Sequence, residues 1–240
     1  MQEVSLKELL EAGCHFGHQA KRWNPKMKQY LYIARGGVHI FDLVKTKAGL
    51  DEAMKYVESL VKDGKQIIFV GTKRQAQGIV KEAAMKVGMP YITTRWMGGL
   101  LTNNDQIGKS IKKLVELRKQ KSIGKFVKYT KREQLLIDRE IDKLTKFLGG
   151  LTELKGAPGA VFVVDTHKEA GSVKEARSMG VPVVGLVDSN ADPDVVDYVI
   201  PVNDDAVKSI QLVVAKITEA VESGLEKFKK ASKDGGEKKE

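Results

Sequence analysis

The stretch that decides the fold is residues 67–93, IIFVGTKRQAQGIVKEAAMKVGMPYIT, in which an amphipathic segment separates two short apolar runs. The first run, Ile67–Val70, is continuously apolar, which is typical of a strand buried on both faces of a parallel sheet. The amphipathic segment ends at Gly88, a residue type that commonly closes helices. A second strand is predicted at residues 91–93. The segment therefore reads as a strand–helix–strand unit.

The same alternation continues on both sides of this unit. Further apolar runs lie at residues 161–164, 183–187 and 198–200. Other amphipathic segments end near Gly64 and Gly180. Strands that alternate with helices in this way predict an α/β protein with a doubly wound, five-stranded parallel sheet.

A long polar insertion, residues 105–149, interrupts the alternation and contains no strand pattern. Its second half has apolar residues spaced by four, three and four positions, as in the seam of a coiled coil. Thr130 and Glu133 fit a capping box where the returning helix begins. We therefore predict an antiparallel coiled-coil helical hairpin that projects from the sheet. It holds thirteen Lys and Arg against six Asp and Glu, a surplus of seven positive charges. The seam residues are Ile137, Ile141, Leu144 and Leu148.

The two ends of the chain give contrasting predictions. Ser5 and Glu8 fit a capping box, so a first helix is expected over about residues 5–12, with Gly13 closing it. The carboxyl-terminal residues have few apolar groups to bury, which predicts a disordered charged tail. The predicted domains are a discontinuous α/β domain (1–104 and 150–225), the hairpin (105–149) and the tail (226–240).

A basic segment precedes the first strand–helix–strand unit. Residues 15–35 contain five Lys or Arg and no acid. Trp23 lies among these charges and could stack on an unpaired base or pack inside the protein, whereas Tyr30 and Tyr32 are expected in the core. Apolar runs flank the glycine pair at positions 36 and 37, which predicts an N-terminal β-hairpin because glycine adopts positive φ at little cost.

The overall charge narrows the class of partner. The 240-residue chain has 41 Lys and Arg against 31 Asp and Glu, a formal charge of +10. Such a surplus suits nucleic acid, an anionic membrane surface or simple solubility. The single cysteine, Cys14, excludes an internal disulfide. The first residues lack a signal-peptide pattern, and no apolar run approaches the roughly 18 residues that span a bilayer. We expect a cytoplasmic protein without a membrane partner.

Six segments together resemble the small-subunit ribosomal protein two family, in the same order and over about residues 5–225. They are AGCHFGH at 12–18, RWNPKMKQYLY at 22–32, GGVHIFDLVKT at 36–46, FVGTKRQAQ at 69–77, RWMGGLLTNN at 95–104 and VPVVGLVDSNADPDVVDYVIPVNDDAVKSI at 181–210. The resemblance implies a flavodoxin-like domain with a protruding coiled-coil hairpin, seated between the head and body of the small subunit. The hairpin marks the bacterial or organellar branch. Two departures are mild: Gly36-Gly37 replaces the usual Asn-Gly turn, and Asn104 stands where an aromatic residue is common.

The resemblance also implies function and partners. It implies a structural constituent of the bacterial cytoplasmic ribosome that binds small-subunit rRNA and has no enzymatic activity. Neighbouring small-subunit proteins, including the large mRNA-binding protein one, are the expected protein partners, and no homo-oligomer is expected.

Residues predicted to contact rRNA are basic or polar, because Lys and Arg neutralise phosphates while Asn and Thr can donate to phosphate and ribose. A structural turn is the alternative for RWMGGLLTNN, and helix capping or nucleotide binding for GTKR, which lacks the Walker spacing. The predicted rRNA-binding residues are Lys21, Arg22, Trp23, Asn24, Lys26, Lys28, Arg35, Lys73, Arg74, Arg95, Trp96, Thr102, Asn103, Asn104, Lys109, Lys112, Lys113, Lys131 and Arg132.

Two groups of residues could bind a metal ion, but the sequence supports them less than it supports the rRNA contacts. Cys14, His15 and His18 could share zinc, but no second Cys or His cluster completes a four-ligand site. Asp188 with Asp204 or Asp205 could hold a structural magnesium ion at the carboxyl edge of the sheet. We predict neither a metal nor another cofactor and expect packed histidines instead.

The acidic run has a structural explanation as well. Asp192 precedes Pro193 in the pattern of an N-cap followed by proline, and the two aspartates at 204 and 205 are expected to start the last helix. A calcium loop is excluded because Pro193 and Val199 occupy the positions that require glycine and glutamate.

The alternative function is a flavodoxin-like nucleotide-binding enzyme or regulator that uses these acids. No Gly-x-Ser-x-Gly, His-Glu-x-x-His or dinucleotide-binding glycine pattern is present to support it. Placement of charge also argues against it, because a basic hairpin serves no small-molecule site.

Overall fold

A computed structural model describes residues 4–234 of the chain. Within that range no helix is both long and apolar enough to cross a membrane. The strands are β1 (Phe16–Gln19), β2 (Leu31–Arg35), β3 (Val38–Phe41), β4 (Ile67–Val70), β5 (Tyr91–Ile92), β6 (Ala160–Val164), β7 (Val183–Val187) and β8 (Tyr198–Pro201). The helices are α1 (Leu6–Glu11), α2 (Leu43–Lys62), α3 (Gln77–Val87), α4 (Asn104–Ser122), α5 (Lys131–Leu148), α6 (Ala170–Ser178) and α7 (Val207–Asp234).

The central sheet has five parallel strands in the order β5-β4-β6-β7-β8. Counted along the chain, this is the 2-1-3-4-5 order of the flavodoxin-like fold. The predicted fold class is therefore confirmed. The direction of winding reverses between β4 and β6, so the ends of these two strands open onto the position where such folds usually bind ligands.

Side chains of each central strand pack on both faces of the sheet, which is why the runs are continuously apolar. In β4, Ile67 and Phe69 join one buried cluster with residues of α2, α3 and α7. Ile68 and Val70 join a second cluster with residues of α6 and the hairpin. The two clusters cover opposite faces of the sheet and together form the core. The carboxyl ends of the strands form the edge where folds of this type usually bind ligands.

The insertion folds as two helices, α4 and α5, joined by a short turn at residues 123–130. Thr130 and Glu133 form the predicted capping box at the start of α5. Leu114 and Ile141 are buried in the seam between the helices. This seam belongs to the same buried cluster as residues on one face of the sheet, so the base of the hairpin packs on the sheet domain. Division into the predicted domains stays a prediction.

A small antiparallel sheet, ordered β1-β3-β2, precedes the parallel sheet. Its β2–β3 connection is the predicted glycine turn, in which Gly36 and Gly37 have φ of 59° and 77°. The first helix also forms as predicted, with the Ser5–Glu8 capping box and Gly13 at φ 74°. Strand β1 was not predicted, because its polar residues give no strand pattern.

The prediction of disorder from residue 226 onward was wrong for residues 226–234, which continue α7. Lys227 forms an ion pair with Glu58 of α2 at 2.7 Å, and the Phe228 ring lies beside Gly64. Lys, Glu and Ala also favour helix intrinsically. The last six residues of the predicted tail, 235–240, lie outside the described residues.

Candidate nucleic-acid interface

The basic segment is shaped by two anchors. The Asn24 side chain caps a 3-10 turn by accepting from the Lys26 backbone N–H at 3.0 Å, and the Asn24 backbone N–H donates to the Ser189 carbonyl at 2.7 Å. Met27 of the same turn is fully buried. Because these residues face inward, Lys21 and Lys28 are turned to the solvent.

The exposed cations of this segment are not all equivalent. Lys26 is bound by Asp192 and Asp194 at 2.8 Å each, and hydrogen bonds to these carboxylates raise its pKa. Lys21, Arg22, Lys28 and Arg35 are exposed and form no ion pair with an acid among the described residues. Their charges are therefore available to a partner.

The burial of the aromatic residues in this segment differs in part from the prediction. Trp23 is half-buried, and its ring lies 4.8 Å from the His39 ring, which favours packing over stacking on a base. Tyr30 is half-buried, as expected. The expectation that Tyr32 lies in the core was wrong, since 77% of it is exposed. Every residue of β2 after Leu31 is exposed, because β2 lies at an edge of the small sheet.

Residues 96–102 form the loop that leads into the hairpin, and a single carboxylate organises it. Glu175 of α6 accepts from the Trp96 indole at 2.8 Å and from the Gly99 backbone N–H at 3.2 Å. It also accepts from the Leu101 N–H at 2.9 Å and from both the N–H and the hydroxyl of Thr102 at 3.0 Å. Burial alone would raise the pKa of Glu175, but these hydrogen bonds outweigh it and lower the pKa.

This arrangement changes the assignment of two predicted contact residues. Trp96 is 8% exposed and the Thr102 hydroxyl donates to Glu175, so both serve the loop itself. Arg95 and Asn103 are exposed, while Asn104 is half-buried as the first residue of α4. Glu175 was missed because nothing in an amphipathic helix marks one acid as the acceptor for a loop that lies some 75 positions away.

Gly71–Arg74 connects β4 to α3, which begins at Gln77 without a side-chain cap. Lys73, a predicted rRNA contact, does not point to the solvent. Its ammonium lies 2.6 Å from Asp204, 2.5 Å from Asp205 and 3.4 Å from Asp165. Burial alone would lower the pKa of Lys73, but the carboxylates outweigh it and raise the pKa. The neighbouring Arg74 is exposed.

The hairpin presents most of its cations to the solvent. Lys109, Lys112, Lys131 and Arg132 are exposed and form no ion pair among the described residues. Lys113 instead pairs with Glu140 across the two helices, which offsets its charge locally. Four of the five predicted hairpin contacts are thus free to meet phosphates.

The carboxyl edge of the sheet holds a buried ionic cluster. Asp165 follows β6 with a φ of 67°, Asp188 follows β7 and is fully buried, and Asp204 follows β8 and is 1% exposed. Burial beside the other two carboxylates raises the pKa of Asp204 to about 8, although Lys73 counters this. The Lys73 ammonium offsets part of the negative charge of the cluster, at the point where the sheet reverses its winding.

Residues from the two groups of candidate metal ligands come together in one possible donor set. His18 Nδ1 lies 3.0 Å from an Asp188 oxygen, and donor atoms of His18, Asp188 and Asp204 lie within 4.8 Å of one another. An imidazole with two carboxylates could hold a cation that accepts nitrogen and oxygen ligands. The hydrogen bond to Asp188 raises the pKa of His18.

The other members of those sites have different environments. Cys14 is buried, which raises its thiol pKa, and a hydrogen bond to Ser209 partly offsets the shift. His15 packs against Phe16 with ring centroids 4.0 Å apart. Asp205 is half exposed and binds Lys73. The expectation that neither zinc nor magnesium is bound stays a prediction.

The caps near this edge were predicted in part. Asp192 caps the 3-10 turn Pro193–Val195 by accepting from the Asp194 N–H at 3.0 Å, as predicted. The expectation that Asp204 and Asp205 start the last helix was wrong. Asn203 accepts from the backbone N–H of Asp205 and Ala206, and α7 begins at Val207. The Asp204 carboxylate is directed to Lys73 instead.

Comparison with known proteins identifies the family of the chain. Residues 9–224 match the family model described as "Ribosomal protein S2". The chain belongs to the ribosomal protein S2 family. A relative from Roseiflexus sp. (strain RS-1), "Small ribosomal subunit protein uS2", is 52% identical over 221 residues, which cover 92% of this chain and 84% of the relative. The match confirms the resemblance drawn from the six segments.

Membership in the family establishes a coarse role. The chain is a structural component of the small ribosomal subunit and takes part in translation. The family is structural and not enzymatic. Association with rRNA and with other small-subunit proteins follows from that role.

Proposed function

We propose that this small-subunit component binds rRNA through phosphate and ribose contacts made by its basic segment and its hairpin. The observation that carries the proposal is a set of exposed cations without internal acid partners on both elements. Cations that meet phosphates release condensed counterions, which supplies affinity independent of sequence. Folded RNA is then recognised mainly by shape.

Burial and pairing refine the predicted contact set. Lys73, Trp96 and Thr102 bind carboxylates of the protein itself. Asn24 caps a turn, and Lys26 and Lys113 form ion pairs with acidic residues. Trp23 packs on a histidine. Asn104 is half-buried. The proposed contact residues are Lys21, Arg22, Lys28, Arg35, Arg74, Arg95, Asn103, Lys109, Lys112, Lys131 and Arg132.

Protein neighbours form the second part of the proposal. Tyr32 and Ile33 are 77% and 52% exposed, so β2, an edge strand of the small sheet, leaves apolar side chains uncovered. A neighbouring small-subunit protein, in our proposal the large mRNA-binding protein one, would cover such a surface. No homo-oligomer is proposed.

The enzyme or nucleotide-binding alternative has weaker support. Its binding position would be the point of reversed winding between β4 and β6. There Lys73 is bound by three carboxylates, so the fixed charges next to an incoming phosphate would be mostly negative. The two hydroxyls that donate to carboxylates beside the cluster, those of Thr72 to Glu169 and of Ser189 to Asp188, are buried and so are not open to a substrate.

Charge reversal tests the proposal. Changing Lys21, Arg22 and Lys28 to Glu should prevent stable incorporation into small subunits depleted of this protein, with an unchanged circular dichroism spectrum. Reversing Lys55 and Lys62 of α2 with Lys81 of α3 is the matched control, because it makes the same change in charge on other exposed lysines. Normal occupancy of the first variant would refute the proposal.

A further inference from the structure

A groove of about 400 Å³ runs along one side of α6, between this helix and the 3-10 turn Pro193–Val195. Val173 and Val195 form apolar walls. His167, Lys174 and Arg177 line it with nitrogen donors. We call this the α6 groove. It is separate from the buried carboxylate cluster, and its volume falls within the range of small-molecule sites.

One end of the groove favours a phosphate. Helix α6 starts there, and Glu169, the residue before it, gives no side-chain cap because its carboxylate accepts from Thr72 instead. The backbone N–H groups of Ala170 and Gly171, the first two of the helix, have no hydrogen-bond partner among the described residues and can meet an anion, whereas that of Ser172 donates to the Glu169 carbonyl. His167 and Lys174 are exposed beside this helix start and form no ion pair among the described residues.

A buried hydroxyl in the groove lacks a partner. Thr166 lines the groove and is 3% exposed, and its Oγ1 has no hydrogen-bond partner among residues 4–234. Its methyl group packs over Gly185, on the side of β7. Buried hydroxyls are nearly always paired, so an unpaired one at a groove provides a hydrogen-bonding group for a ligand.

The one acid of the groove does not repel an anion strongly. Asp192 is held by Lys26 at 2.8 Å and by the Asp194 N–H at 3.0 Å. Arg177 donates one N–H to the Asp194 carbonyl at 3.0 Å, which fixes its guanidinium and leaves other N–H groups free. The fixed charge facing a ligand is therefore positive.

We propose that the α6 groove binds one nucleotide, with its phosphate at the start of α6 and Lys174 and its base between Val173 and Val195. The chemistry fits a nucleoside monophosphate unit, either an unpaired rRNA nucleotide or a free nucleotide. The inference rests on the proposed rRNA binding and adds a discrete site to it.

The test follows the backbone amide signals of residues 166–171 in the full chain by NMR. Titration with AMP and UMP measures binding of a free nucleotide. Photocrosslinking within reassembled small subunits detects contact with an rRNA nucleotide. Lys174→Glu should abolish the signal in whichever arm is positive and lower the salt slope of rRNA binding by about one. Lys208→Glu, at an exposed position of α7, is the matched control.

Each outcome decides one point. Shifts with AMP or UMP assign the groove to free nucleotides, whereas a crosslink to His167 or Lys174 without such shifts assigns it to rRNA. If rRNA binds normally but neither arm responds, the inference is overturned and the proposed function stands. If rRNA does not bind at all, the proposed function fails, while the titration still reports on the groove.

Discussion

Replacement of Glu175 by glutamine tests how the loop that leads into the hairpin is held. The carboxylate accepts five hydrogen bonds from residues 96–102, and an amide of the same shape has a single acceptor oxygen. If that oxygen takes the three bonds from Leu101 and Thr102, the amide nitrogen meets the Trp96 indole and the Gly99 N–H, which are both donors. A hydrogen bond to a charged group contributes about 1.5–3 kcal/mol. We therefore expect a loss of about 3 kcal/mol.

Thermal and urea unfolding measure this loss. For a chain of this size, about 3 kcal/mol corresponds to a decrease in Tm of roughly 6–12 °C. The Trp96 indole N–H signal in NMR should shift as well, because its acceptor is replaced. Glu82→Gln, at an exposed position of α3, is the control, since Glu82 has no hydrogen bond or ion pair among the described residues. Equal stability of the two variants would refute the role of Glu175.

The pH dependence gives an independent reading of the same group. The folded pKa of Glu175 lies below its ordinary value of 4.5, so its carboxylate stabilises the fold above that pH. This stabilisation is lost as the pH falls through the folded pKa. Acid unfolding of Glu175→Gln should lack that component, and Glu82→Gln should retain it.

Four further changes have expected outcomes. Replacing residues 119–139 with a short Gly-Ser linker should leave a cooperative thermal transition and reduce the salt slope of rRNA binding, because the base of the hairpin is retained; insoluble protein would contradict this. Asp204 has a pKa raised to about 8, so the wild type should lose stability as pH rises from about 4 to 8, and Asp204→Asn should flatten that decline in urea unfolding. Wild-type phosphatase and nucleotide-hydrolysis activities should equal those of Asp188→Asn with and without magnesium; activity lost in the variant would overturn the assignment as a structural protein. Phe228→Ala should lower stability by about 1–2 kcal/mol, because the ring packs beside Gly64, and an unchanged Tm would mean that the end of α7 adds nothing.

The parts of the fold that follow local rules could be predicted from the sequence. Continuous apolar runs predict strands such as Ile67–Val70 because both faces of the sheet are covered. The glycine turn at Gly36-Gly37 and the capping box at Thr130 are each decided by residues within a few positions of one another. The spacing of the hairpin seam likewise depends only on helix geometry.

The predictions that were wrong concern residues whose contacts are with distant segments of the chain. Lys73 was predicted to bind phosphate, but three carboxylates from the ends of two other strands, β6 and β8, surround its ammonium. Trp96 and Thr102 were predicted to contact rRNA, but both donate hydrogen bonds to Glu175, which lies more than 70 positions away in the sequence. The end of α7 looked disordered because its contacts with α2 are invisible in its own composition. A single sequence carries no record of these pairings.

A crosslinking map of lysines and arginines in intact small subunits tests the central claim most directly. Binding by the basic segment and the hairpin predicts rRNA crosslinks at Lys21, Lys28, Lys109 and Lys131, which are exposed and free of acids among the described residues. Lys55, Lys62 and Lys81 on α2 and α3 should remain uncrosslinked. Crosslinks concentrated on these two helices, with none on the basic segment or the hairpin, would contradict the proposal.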